Sequence, residues 1–353
     1  MMSSPQRGNM SWLLIVGISS LLLAGCLYVT RLPARPAPAA GVVNELGITV
    51  AYSPGYRVSF FGVEHLHPFD IAKYDRIAAH LREEGLVPAG GFAVPAPVTD
   101  AQLSAVHDPD YLAALHQAPA LSRALEVQVP AFLGGRVLER RVLSAFRRAV
   151  GGTAEAAEAA LAHGMGINIG GGFHHARPAM GHGFCIYNDT AYAIHVLRQG
   201  GLTGRILIID TDAHQGDGSH AFFADDPDVF SFSMHQGDIF PHPKLRGDQD
   251  LALPAGTDDA AFLQALDQAL TDIFAASSYA IVFHVAGSDV LADDPLAALA
   301  MTPDGLVERD LLVARHVRGQ GTPLVHLLAG GYGPSSASAQ ARSVAALLRG
   351  QWE

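Results

Sequence analysis

The stretch from Arg205 to Gly218, R-I-L-I-I-D-T-D-A-H-Q-G-D-G, decides the fold. Ile206, Leu207, Ile208 and Ile209 form an uninterrupted apolar run rich in β-branched residues, the pattern of a strand buried on both faces. Asp210, Asp212 and His214 then follow at spacing two, so an extended chain turns their side chains to one face. In open α/β sheets, ligands bind outside the carboxyl ends of the strands. Two carboxylates left unpaired there would repel each other and lose solvation. A divalent cation removes both penalties, and mixed oxygen and nitrogen ligation suits zinc or iron. Taken alone, the same residues also read as a polar strand exit with Asp210 capping a turn.

Similar runs lie to either side. Ile48–Tyr52, Gly164–Ile169, Val229–Met234, Ala280–Val285 and Pro323–Leu328 read as strands. Helical spacing covers Ile71–Glu84, Pro109–Gln117, Asp189–Arg198, Phe262–Ala276 and Ser335–Arg349. Val137–His163 is helical too, with an interruption at Gly151-Gly152. This alternation predicts an α/β fold: a single-domain, open, mostly parallel sheet with helices on both faces and the site at the carboxyl ends of its strands.

Hydrophobic residues make up 49% of the chain and charged residues 16%, the balance of a globular protein with a sizeable core. The net charge of -11, with no compensating basic cluster, argues against nucleic acid as a partner. Cys26 and Cys185 are the only cysteines, which excludes a disulfide framework and a cysteine-rich metal site.

The N-terminus reads differently. Trp12 to Ala24 is an apolar run ending in Leu23-Ala24-Gly25-Cys26, which resembles a bacterial lipobox with Cys26 as the lipidated residue. The rival reading continues the helix through Thr30 as an uncleaved anchor of about 19 residues, just enough to span a bilayer. Residues 1–30 are therefore expected to be a signal or anchor, 31–46 a Pro/Ala-rich spacer and 47–353 the catalytic domain. Either option attaches the protein to a membrane, on a side the flanking arginines leave undecided.

Four strands end in polar groups: His174-His175, the Asp210–His214 cluster, Asp289 and Tyr332. Asp212, His214 and Asp289 would supply three metal ligands and leave a position open for water. The histidine pair can move protons, and Tyr332 on its glycine turn can donate to a developing oxyanion. Those are the parts that amide hydrolysis needs. His107, His116 and His284 are expected to be structural or surface histidines.

The motifs A-Y-S-P-G-Y at Ala51, L-H-P-F-D at Leu66, I-G-G-G-F-H-H-A at Ile169 and G-H-G-F-C-I-Y at Gly181 continue in family order. I-I-D-T-D-A-H-Q-G-D-G at Ile208, A-G-S-D-V-L at Ala286 and A-G-G-Y-G at Ala329 complete the set. From about residue 47 to 350, the chain resembles the zinc-dependent histone deacetylases of the arginase–deacetylase superfamily, class IV most of all. The resemblance implies zinc at Asp212, His214 and Asp289. It implies a histidine pair at His174 and His175, the second being the general base, backed by Asp210 and Asp217. It makes Tyr332 the oxyanion-binding tyrosine. It adds a potassium site at Asp210, Asp212, the His214 backbone, Ser233 and the Met234 backbone. Gly183, Phe184 and Phe240 are expected along the acyl-lysine tunnel. The substrate is left between acyl-lysine in a protein or peptide, acetyl or fatty, and a small acetylated amine such as a polyamine. An arginase-like binuclear enzyme would need a further carboxylate two residues after Asp289, where the chain has Leu291. A non-catalytic, membrane-tethered acyl-binding protein would be expected to carry a damaged site, and this one is complete.

Overall fold

The structure is a computed structural model that describes residues 42–353 apart from 60, 61, 63, 65 and 66. The expected lipobox at Cys26 and the anchor lie outside the described residues. Among the described residues no helix is long and apolar enough to cross a membrane.

Seven parallel strands form one sheet. They are β1 (Ile48–Ala51), β2 (Met165–Asn168), β3 (Ile206–Asp210), β4 (Val229–Gln236), β5 (Gln249–Leu253), β6 (Ile281–Val285) and β7 (Leu324–Leu327). Their order is β1-β2-β7-β6-β3-β4-β5, and every pairing is parallel. The helices are α1 (Lys73–Glu83), α2 (Asp100–Leu103), α3 (Pro109–Ala114), α4 (Ala118–Leu125), α5 (Gly135–Leu138) and α6 (Ser144–His163). They continue with α7 (Asp189–Gln199), α8 (Asp217–Phe223), α9 (Asp259–Ala276), α10 (Pro303–Gly319) and α11 (Ser336–Leu348).

The apolar run of β3 is buried to 1% exposure or less along its length, and its alternation divides the core in two. Leu207 and Ile209 join α1, α9, α10 and α11 on one face, packing with Ile77, Phe262, Leu306 and Val344. Ile206 and Ile208 join α6 and α7 on the other, packing with Ala154, Ala157 and Ile194. Each such side chain contributes about 1.5–3 kcal/mol of burial. The three layers expected from the sequence are therefore present.

The structure differs from the sequence reading in local detail. Helix α6 runs through Gly151-Gly152 without a break. A Cβ on Gly152 would lie 2.1 Å from the Tyr56 hydroxyl, so this glycine serves close packing and not a helix end. The sequence reading passed over β5, α8 and α10. Strand β5 is a sheet edge of mixed exposure. Helix α10 carries a clear start signal, Thr302 as N-cap followed by Pro303.

Candidate active site

Four neighbouring strands, β2-β7-β6-β3, deliver the polar exits to one sheet edge. After β2 the chain turns through Gly171 and Gly172, both at positive φ. A Cβ on Gly172 would strike the backbone of Ala329 at 2.8 Å, so the β2 and β7 exits can close on each other only with glycine there. Asp189, at the start of α7, secures this turn by accepting from Gly172 N at 2.8 Å and Phe173 N at 2.7 Å. That brings His174 and His175 side by side with ring centroids 4.0 Å apart.

Each imidazole donates Nδ1–H to its own carboxylate at 2.7 Å, His174 to Asp210 and His175 to Asp217. Arg177 also holds Asp217, through Nε at 2.9 Å and Nη2 at 2.6 Å, and His182 Nε2 lies 3.0 Å from it. Burial opposes a charge on His174, but the carboxylates of Asp210 and Asp212 outweigh it and push the pKa up to about 9. Burial and the neighbouring charge of His174 drive His175 the other way, well below its ordinary value. The two imidazoles are thus pushed apart, His174 toward its charged form and His175 toward its neutral form.

Asp212, His214 and Asp289 converge with their ligand atoms all within 4.8 Å of one another. His214 Nδ1 lies 2.8 Å from Asp289 Oδ2 and 3.2 Å from Asp212 Oδ1. Burial disfavours a charged His214, yet the two carboxylates push its pKa up to about 10. Asp289 is pushed up by burial and by the charge of Asp212. Two buried carboxylates so arranged hold onto a positive charge, which a divalent ion would supply. The backbone leaves room for it: a Cβ on Gly287 would come within 2.0 Å of Asp212 Oδ2, and one on Gly330 within 2.6 Å of the same atom. The donor set therefore fits a metal ion.

Tyr332 hangs on the turn after β7, and that turn has supports the sequence reading missed. Lys73, at the start of α1 and 1% exposed, donates to Ala329 O at 3.1 Å, Gly330 O at 2.9 Å and Gly331 O at 3.4 Å. Asp294 accepts from Tyr332 N at 2.7 Å. Burial and the charges of Asp289 and Asp212 push the phenol well above its ordinary pKa, which keeps it a hydrogen donor. Lys73 falls within the L-H-P-F-D segment's flank, but nothing local marks a lysine as buried.

A cavity of about 280 Å³ opens onto His174, His175 and Tyr332. Gly183 and Phe184 line it, along with Phe69, Tyr74, Ala145, Phe146 and Ala149. Phe240 stands beside it, with its ring 5.0 Å from His175 and 6.4 Å from His214. Ser233 and Met234 are buried on β4, and Ser233 is the register partner of Asp210. His107 is a structural histidine, accepting from Asn188 N at 3.0 Å, while His116 sits beside Asp100 at 3.2 Å. His284 is in the core, bonded to Thr211 Oγ1 at 2.9 Å.

The family model of the histone deacetylase domain matches residues 67–348. Histone deacetylase 2 of Arabidopsis thaliana is 37% identical over 86% of this chain and 79% of its own length. The acetoin utilization protein AcuC of Bacillus subtilis is 32% identical over 71% of this chain and 68% of its own. Among solved structures, the HDA15 HD domain superposes with a TM-score of 0.71 at 25% identity, covering 86% of this chain and 88% of that one. With the fold and the convergent strand exits already in place, these likenesses settle the family: the chain belongs to the histone deacetylase domain family of deacetylase hydrolases.

Proposed function

We propose that this protein hydrolyses the amide of an acylated lysine, with zinc held by Asp212, His214 and Asp289. The observation that carries this reading is one apolar cavity shared by two oppositely tuned histidines and a phenol, beside a buried ligand trio. When bound, the metal supplies a Lewis acid for the acyl carbonyl and lowers the pKa of water; zinc suits the ligands best, and iron(II) is the other ion they admit. His175, neutral and aimed by Asp217, accepts the proton of the attacking water at Nε2. Tyr332 donates its hydroxyl hydrogen to the oxygen on which negative charge develops. His174 holds the proton that the departing amine needs once the C–N bond breaks. Asp210, Asp212, the His214 backbone, Ser233 and the Met234 backbone would hold potassium alongside.

We further propose a class IV-like preference for long acyl groups over acetyl. Ala145, Phe146 and Ala149 of α6, with Val142 just before it, line the same cavity as the histidines. Each methylene buried there can add about 0.8 kcal/mol of binding. Attachment to a membrane, through lipidated Cys26 or an uncleaved helix within residues 1–30, would raise the effective concentration of lipid-modified substrates. The test is kcat/KM for acetyl-, octanoyl- and myristoyl-lysine peptides of one sequence, since tight ground-state binding alone would distort KM. We expect the longer chains to win. A lead for acetyl would reject the long-chain reading and bring small acetylated amines to the front.

A further inference from the structure

Arg309 on α10 is fully buried, and the catalytic reading gives it no task. Its Nη1 donates to Thr211 O at 3.2 Å and to Gly287 O at 2.5 Å. Thr211 directly precedes Asp212, and Gly287 comes two residues before Asp289. One guanidinium nitrogen therefore ties together the exits of β3 and β6, the two neighbouring strands that carry the ligand carboxylates. Asp310 anchors the group from its other side. Nε donates to Asp310 Oδ1 at 2.8 Å, and Asp310 Oδ2 accepts from Ser343 Oγ on α11. The same exit is gripped by a side chain: Thr211 Oγ1 lies 2.9 Å from His284 Nε2, and His284 Nδ1 lies 3.2 Å from His326 Nδ1. Nη1 can bridge the two carbonyls while Nε keeps its bond to Asp310, whereas a lysine ammonium has no second nitrogen with which to keep that anchor.

We propose that Arg309 is a positioning residue that sets the separation of Asp212 and Asp289, and so the metal affinity of the trio they form with His214. This rests on the metal reading of that trio. Without the clip, the two exits are free to spread under the mutual repulsion of their carboxylates. Groups that orient metal ligands typically change affinity by about 10–100-fold when removed.

The test is zinc affinity by chelator competition on the full chain, for wild type, Arg309→Lys, Asp310→Asn and Leu311→Ala. Leu311 is a buried core residue of the same helix, so its variant reports what destabilisation of α10 does by itself. Wild type should bind zinc tightly and Leu311→Ala should match it despite a lower Tm. Arg309→Lys should bind about 10–100-fold more weakly. Asp310→Asn, which loses the carboxylate charge beside Arg309 but keeps Nη1 on both carbonyls, should show a smaller loss than that. Absence of zinc binding by wild type would reject the metal reading itself. Wild-type affinity in folded Arg309→Lys would overturn the positioning role. If Arg309→Lys does not fold, wild-type affinity in Asp310→Asn overturns it instead.

Discussion

Among the described residues, two trios of histidine and aspartate lie buried with their ligand atoms within 4.8 Å: Asp212-His214-Asp289 and His284-Asp310-His326. The first sits past the strand ends, faced by Gly287 and Gly330, and the second lies within β6, β7 and α10. Their electrostatics differ for a simple reason. The first holds two carboxylates and no fixed cation, so His214 is pushed up to about 10. In the second, Arg309 already pairs with Asp310, and burial and the neighbouring His326 keep His284 well below its ordinary pKa. Both trios draw on aspartate and histidine at similar proximity, but the first has two carboxylates and the second has one. Charge balance and the position relative to the strand ends separate a place for an ion from a polar core that already holds a guanidinium.

The comparison predicts unequal consequences. His175→Ala removes the proposed base and should lower kcat by about 10²–10⁴-fold. Circular dichroism and zinc content should be unchanged, so loss of either would place His175 among the structural groups. Tyr332→Phe removes one hydroxyl while keeping the ring against Phe184. Its kcat should fall by about 10²–10³-fold, and wild-type turnover would remove the phenol from the site.

The smallest effect concerns pH. His175 must be neutral to act, and burial together with His174 lowers its pKa. Activity that depends on it is therefore full above that pKa and is lost as pH falls through it, which puts the acid limb of kcat/KM below pH 6.5. Asp217 raises the His175 pKa. Asp217→Asn should accordingly move the limb lower still and cost about 10–100-fold in activity through lost orientation. A limb that moves upward would contradict the assignment.

Much of this was readable from the sequence because it depends on local pattern. An apolar run such as Ile206–Ile209 cannot sit on a surface, and the polar residues that follow it mark the strand exit. The strand itself ends at Asp210, so Asp212 and His214 reach Asp289 from a bend and Asp210 turns to His174 instead. The strand exits at His174, Asp289 and Tyr332 follow from the parallel sheet. The supports were not readable. Lys73, Asp189, Asp294 and Arg309 act through contacts distant in sequence, and each alone looks like an ordinary helix or loop residue. Lys73 reaches Gly330 across 257 positions. Gly152 misled for the opposite reason: a glycine in a helix reads as a break until Tyr56 is seen against it.

The central claim is that one trio holds a metal ion and the other does not. Metal analysis of purified protein, saturated with zinc and then desalted, should find about one equivalent per chain. Asp289→Asn should lose that ion and all activity, while His326→Asn, in the core trio, should keep it. Two equivalents in wild type, or a bound ion lost in His326→Asn and kept in Asp289→Asn, would contradict the account.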